Sequence, residues 1–201
     1  MDWRIYRRLS WGCSADFRSG YLSVNYLLVE VFLIRHTRPD NEKGLIYGRH
    51  DVPLANTFEQ DRNVVLKQLP ASIDLVFSSP STRCTKLAEA LSLNYIVREE
   101  LYELNFGIWE SKTWDTINRQ ESEFWMEDML NRSPPEGESL MQMKSRVLGF
   151  WQQITSFKSS CVAVVTHKGV IRILLSELNN IPDSSFFDIN VDFGQVFKMH
   201  V

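Results

Sequence analysis

The chain has 201 residues, 44% of them hydrophobic, and a formal net charge of −3. That length is enough for one well-buried core and short for two. The mild acidity excludes a surface-wide nucleic-acid footprint while leaving room for a local basic pocket. Cys13, Cys84 and Cys161 show neither Cys-x-x-Cys pairing nor metal-ligand spacing, so they read as reduced thiols of a cytoplasmic protein.

The first segment in chain order, residues 1–28, reads as an appendage. It carries Arg4, Arg7, Arg8 and Arg18 but lacks the continuous apolar stretch and cleavage site of a signal peptide. The longest greasy run, YLSVNYLLVEVFLI (21–34), is broken by Asn25 and Glu30 and falls short of a membrane span. No membrane partner is expected.

From residue 30 onward, strands alternate with helical patterns. VFLI (31–34) predicts a short buried strand. A loop with Gly44, Gly48 and Pro53 leads into a helix over EQDRNVVLKQL (59–69). DLVFSS (74–79) predicts a second strand. PSTRCTKLAEAL (80–91) predicts a helix, with Ser79 as its N-cap and Pro80 in its first turn.

A middle stretch, 99–132, is rich in Trp, Phe, Met and acids, and SPPEG (133–137) is a firm break. In 139–157, Leu140, Met143, Val147, Trp151 and Ile154 share one face at helical spacing. CVAVV (161–165) is a third strand and GVIRILLSEL (169–178) a helix. Alternating strands and helices predict one α/β domain, a mostly parallel sheet flanked by helices.

Three predicted strands end in similar chemistry: Arg35-His36, then SSPSTR with Arg83, then THKG with His167. In a parallel sheet all carboxyl ends lie on one edge, where ligands bind and helix amino ends favour anions. Two arginines and two histidines gathered there would trap a phosphate. Each residue taken alone has a structural alternative: a surface arginine, a histidine satisfied at a strand end. The acid such a site needs is left open among Glu99, Glu100, Glu103 and Glu110. Trp109, Trp114, Phe124 and Trp125 read first as core, with an aromatic wall over a ring-bearing substrate as the alternative. The DFG at 192–194 resembles a kinase tripeptide, but no glycine-rich loop accompanies it, so it reads as chance.

Five motifs in order carry a resemblance: RHT (35–37), SSPSTRCTKLA (78–88), LYELNFGIWE (101–110), GES (137–139) and VTHKG (165–169). Over residues 30–201 the chain resembles the histidine phosphatase superfamily, also called phosphoglycerate mutase-like, and residues 1–28 fall outside it. GLIYGRHDVPLA (44–55), WDTI (114–117) and FWMEDMLNRSPPEGES are most similar to its α-ribazole phosphatase branch. Thr37 stands where many relatives carry Gly, and Asn41 falls one position before their Asn.

The resemblance implies a single-domain three-layer sandwich over 29–201, with a natural start near Val29 or, in competition, a docking arm upstream. It implies His36 as nucleophile, Arg35, Arg83 and His167 as the phosphate clamp, and Glu103 as proton donor. Thr37 joins the substrate contacts. Ser139 is left between substrate contact and helix cap. No metal or cofactor is expected, and the partner is a small phosphorylated metabolite, not a nucleic acid. The implied substrate is α-ribazole 5′-phosphate, with a broad sugar-phosphate or nucleotide phosphatase as the alternative. A mutase and a non-catalytic phospholigand-binding module are disfavoured, the first by length and the second because the clamp is intact. The sequence carries no signature of a particular oligomeric state.

Overall fold

The computed structural model of the protein describes residues 29–41, 43–154 and 161–201. The expectations for residues 1–28 and for the helix end at 155–157 lie outside these residues. In chain order the elements are β1 (Glu30–Arg35), α1 (Phe58–Leu66), β2 (Leu75–Ser78), α2 (Thr82–Glu89) and β3 (Ile96–Val97). They continue with α3 (Arg119–Glu127), α4 (Leu140–Ile154), β4 (Cys161–Thr166), α5 (Lys168–Asn179) and β5 (Val196–His200). Short 3₁₀ turns fill the segment between β3 and α3 and the stretch Asp183–Asp188.

The strands form one sheet in the order β3-β2-β4-β1-β5, parallel except for β5, which runs antiparallel to β1. Strand alternation sends successive side chains to opposite faces. Val31, Leu33, Phe77, Val162 and Val164 therefore pack against α4 and α5. Phe32, Ile34, Val76, Ala163 and Val165 pack against α1 and α2. The result is a three-layer α/β sandwich whose inner strands are apolar on both faces, as a helix-covered sheet requires.

The helix that follows β1 lies on one face and the helix that follows β4 on the other, although β1 and β4 are neighbours. Such a reversal opens a crevice at the carboxyl ends of the two strands. Sequence periodicity finds α1, α2, α4, α5 and three strands. It misses β3 and β5, which lie at the sheet edges, and α3, whose core contacts are made to a small separate cluster of Ile46, Trp109, Ile117 and Trp125.

One local expectation is corrected. The N-cap of α2 is Ser81, not Ser79. The Ser79 hydroxyl is drawn to a histidine instead, 2.7 Å from His167 Nε2.

Candidate active site

The parallel register is what brings the two histidines together. Arg35 pairs with Thr166, so His36 and His167 leave adjacent strands side by side. Their ring centroids are 5.1 Å apart, about one strand spacing. The main-chain ladder continues past the strand ends, with His36 N bonded to Thr166 O at 3.0 Å and Ser79 N to Val165 O at 2.9 Å. β1, β2 and β4 thus deliver their last residues level with one another.

His36 is almost fully buried. Its Nδ1 lies 2.7 Å from the Thr37 carbonyl, which can only accept, so Nδ1 carries the hydrogen and Nε2 keeps its lone pair. Burial holds the His36 imidazole well below its usual pKa, and the charges of Arg83 and Arg35 add to the effect. His167 is depressed likewise, by burial first and then by Arg83. Arg83 Nη2 stands 3.3 Å from His167 Nδ1. A guanidinium can only donate, so His167 Nε2 carries the hydrogen that meets Ser79 Oγ. The Cys84 thiol beside this ring is pushed up to about 12 by burial and stays neutral.

Arg83 extends from the first turn of α2 and its side chain is wholly buried. It donates to Gly48 O at 2.6 Å and His50 O at 3.1 Å, and Asp51 lies 3.6 Å away. The loop supplying those carbonyls is fixed by Glu110, whose oxygens accept the N–H groups of Arg49 (2.9 Å), His50 (2.7 Å) and Phe106 (3.1 Å). Arg35 donates to Val191 O at 2.6 Å, and its guanidinium carbon sits 3.6 Å over the Phe193 ring. Tyr47 lies beside both arginines, its phenol interacting with the charges of Arg83 and Arg35 and its ring 4.9 Å from the Arg83 guanidinium.

His36, Arg35 and Glu103 line one cavity of about 280 Å³, with Arg83 and His167 packed behind it. Of the four carboxylates left open by the sequence, Glu103 alone lines it. Glu110 is engaged by the loop N–H groups, Glu100 is paired with Arg98 at 2.7 Å, and Glu99 is exposed. The Glu103 carboxylate accepts from Leu104 N at 3.0 Å and from Gly169 N, in the first turn of α5, at 3.1 Å. A Cβ at position 169 would collide with it, so the close approach needs glycine.

The two remaining candidates sit elsewhere. Ser139 caps α4: its hydroxyl accepts from Gln142 N at 3.3 Å, and Gln142 Oε1 accepts from Ser139 N at 2.7 Å, a reciprocal capping box. It is not part of the cavity lining. Thr37 is buried and meets His36 through its carbonyl, its buried hydroxyl has no protein partner, and the residue borders a separate small depression with Arg38. Asn41 is held by both backbone groups of Leu45, at 2.9 Å each. A larger depression of about 520 Å³ lies across Tyr47 and is lined by none of the five residues His36, Arg35, Arg83, Glu103 and His167.

The aromatic segment divides. Trp109 is core and Phe124 is exposed beneath Arg132. Trp114 and Trp125 line the His36 cavity with Phe106, their ring planes 25° apart. The buried Trp125 indole N–H has no protein partner. Core was the first reading for all four: it holds for Trp109 and Trp125, the latter lining the cavity as well, and fails for the exposed Trp114 and Phe124. Lys168, Arg172, Tyr47 and Phe193 are also missed by sequence reasoning. The DFG remains unrelated to kinases, but its phenylalanine is the platform under Arg35. Among the described residues no three His, Cys, Asp or Glu side chains converge so as to hold a metal ion.

The match to known proteins agrees with this geometry. The histidine phosphatase superfamily (branch 1) is matched over residues 31–201. The adenosylcobalamin/alpha-ribazole phosphatase of Escherichia coli is 28% identical over 176 residues, 83% of this chain and 87% of its own length. Phosphoserine phosphatase 1 of Hydrogenobacter thermophilus is 24% identical over 184 residues, 87% of each chain. The crystal structure of the alpha-ribazole phosphatase from Shigella flexneri superposes with a TM-score of 0.78 at 26% identity, covering 85% of this chain and 89% of that one. The chain therefore belongs to the histidine phosphatase superfamily, and its activity is that of a phosphatase.

Proposed function

We propose that the protein is a metal-independent phosphomonoesterase that works through a phosphohistidine on His36, with α-ribazole 5′-phosphate as substrate. The Nε2 lone pair forms the N–P bond as the ester P–O bond breaks. Glu103 gives the leaving alkoxide its proton. Water then attacks phosphorus, Glu103 takes its proton, the N–P bond breaks and inorganic phosphate leaves. Two displacements replace one difficult step. Arg35 and Arg83 hold the non-bridging oxygens, where fixed cations stabilise spreading charge, and neutral His167 joins them when its Nε2–H turns from Ser79 Oγ to a phosphate oxygen. Neutral His36 is ready to attack because burial and both guanidiniums disfavour its protonated form.

The observation that carries the choice of leaving group is the aromatic wall of Trp114, Trp125 and Phe106 beside His36, which suits a flat ring. Names carried by the relatives from Escherichia coli and Shigella flexneri point the same way. The test compares kcat/KM for α-ribazole 5′-phosphate with simple sugar phosphates and nucleotides, with EDTA present. A preference for the first by tenfold or more is expected. Equal turnover of sugar phosphates would displace this substrate, and EDTA sensitivity would count against the metal-free route. His36→Ala should abolish the acid-labile phosphoenzyme and lower kcat/KM by roughly 10³-fold or more.

A further inference from the structure

Arg35 meets the phosphoryl group in the proposed hydrolysis, yet what orients its side chain lies far away in the sequence. The turn 191–195, just before β5, closes on the end of β1 through its backbone. Arg35 N donates to Gln195 O at 3.0 Å, and Gly194 N donates to His36 O at 3.2 Å. The turn is itself braced: Asp192 N donates to Gln195 Oε1 at 2.7 Å and Gln68 Nε2 to Gly194 O at 3.2 Å. Gly194 has φ +69°, which glycine adopts freely, and the chain reverses there. Phe193 is thereby set against the reacting pair. Its ring lies 3.6 Å below the Arg35 guanidinium carbon and 5.5 Å, centroid to centroid, from the His36 imidazole.

Two neutral groups of this turn hold the Arg35 side chain, the Val191 carbonyl at 2.6 Å and the Phe193 ring face. A single hydrogen bond at Nη1 is a pivot about which a guanidinium can swing, and a ring 3.6 Å away restricts that swing. Aromatic faces attract guanidinium charge, most strongly where water is excluded. Burial lowers the Arg35 pKa, while Tyr47, Glu103 and Asp192 pull it the other way. Arg38 stands 5.5 Å from the same ring but is exposed, so water weakens its share of the attraction. Neutral support has a further consequence. A carboxylate in place of the ring would engage the Arg35 fork and cancel its charge before substrate arrived. As it stands, Arg35 Nε is buried without a protein partner, a donor still open at the cavity wall.

We propose that Phe193 is a positioning residue of the phosphatase site: its ring face holds the Arg35 guanidinium in the orientation that receives the phosphoryl group. This role rests on Arg35 binding that group in the proposed reaction but not on which alcohol leaves.

Replacing Phe193 by 4-fluoro-, 3,5-difluoro- and 3,4,5-trifluorophenylalanine drains negative charge from the ring face and nearly preserves its shape. Melting curves show that each variant folds. With p-nitrophenyl phosphate as substrate, kcat/KM should fall stepwise along the series, by about fivefold at its end. Phe193→Leu should lose about tenfold and Phe193→Tyr less than about twofold. The loss should be the same factor for α-ribazole 5′-phosphate, because the phosphoryl group is common to both. The acid limb of the pH–rate profile should stay in place, since the ring acts through Arg35 and not through His36. A flat fluorine series on an active enzyme overturns the role and leaves the phosphatase reading standing. So does a loss confined to α-ribazole 5′-phosphate, which would set the ring against the leaving group, or a shifted acid limb, which would assign the effect to His36. If the unsubstituted protein hydrolyses neither compound and forms no acid-labile phosphoenzyme, both readings fall together.

Discussion

A histidine can attack phosphorus only while its ring is neutral, and here neutrality is built into the fold rather than left to the pH of the medium. His36 and His167 are both buried, and both are held well below the ordinary value of 6.5. In the unfolded chain both imidazoles titrate near that value. Below it the unfolded state takes up protons that the folded state refuses, so stability must fall as the pH drops through about 6.5. Each imidazole contributes a loss of up to about 1.4 kcal/mol per pH unit until its folded pKa is reached. Urea unfolding at about pH 7.5 and about pH 5.5 should show this decline, and His167→Asn should make it shallower. Equal stability at the two values would contradict the neutral pair. Activity should lose less to His36 protonation over the same window than it would with an ordinary imidazole, because burial and the two guanidiniums hold its pKa well below 6.5.

Among the elements, the segment that carries Glu103 has no regular structure of its own and is held by one side chain of α4. Arg146 donates to the carbonyls of Glu100 (2.6 Å), Tyr102 (2.8 Å) and Glu103 (3.1 Å), and to both oxygens of Glu138. Glu138 also accepts from Asn105 N and Arg49. Burial alone would raise the Glu138 pKa, but the Arg146 hydrogen bonds win and lower it. The side chains of the pair are 17% and 13% exposed, so removing one partner strands a largely buried charge. Arg146→Met should cost about 3 kcal/mol in urea unfolding. It should also lower kcat, because the Glu103 backbone loses its donor. Adding Glu138→Gln should recover part of the stability by removing the orphaned carboxylate. A double variant no more stable than Arg146→Met would argue against a coupled pair.

The same scale shows what the motifs mean physically. Gly107 has φ +54°, and a Cβ there would strike the Pro135 carbonyl. A Cβ at Gly137 would likewise strike the Asn105 carbonyl. Ile108 N bonds Pro135 O at 3.1 Å and Glu138 N bonds Asn105 O at 3.0 Å, so two distant glycine motifs are halves of one backbone contact. The sequence reading saw both halves but not the contact. It also found His36, Arg83 and His167, because strand ends and helix starts are local signals that the parallel sheet then assembles. Tyr47 and Phe193 left no such signal, and Lys168 stood unremarked inside the motif that carries His167. Their roles depend on where long loops and a helix face return to the crevice, and residue type alone does not encode that. The edge strands escaped for a related reason: β3 is two exposed residues and β5 is only partly buried, so neither shows a buried run.

For the whole molecule, the two ends of the described chain close on each other. Val29 N bonds Val201 O at 2.9 Å and Val201 N bonds Val29 O at 3.0 Å, extending the β1–β5 pairing to its last residues. β5 forms the sheet edge beside β1, the strand that delivers Arg35 and His36, and Gly194 N bonds His36 O at 3.2 Å just before it. Tolerance to truncation follows from what backbone pairing and burial are lost. The match to the histidine phosphatase superfamily spans residues 31–201, which contain both layers of helices and the His36 cavity. A chain beginning at Val29 should therefore fold and keep kcat/KM within about twofold, since changes away from packed features have small effects. Removing residues 196–201 instead should abolish soluble, cooperatively folding protein, because it unpairs β1 along one side and uncovers Leu33 and Val31. Circular dichroism melts and phosphate release on the two truncations make the comparison. If the chain beginning at Val29 folded but lost turnover, residues 1–28 would take part in catalysis, and a site closed by β1, β2, β4 and the loops between them would be an incomplete account.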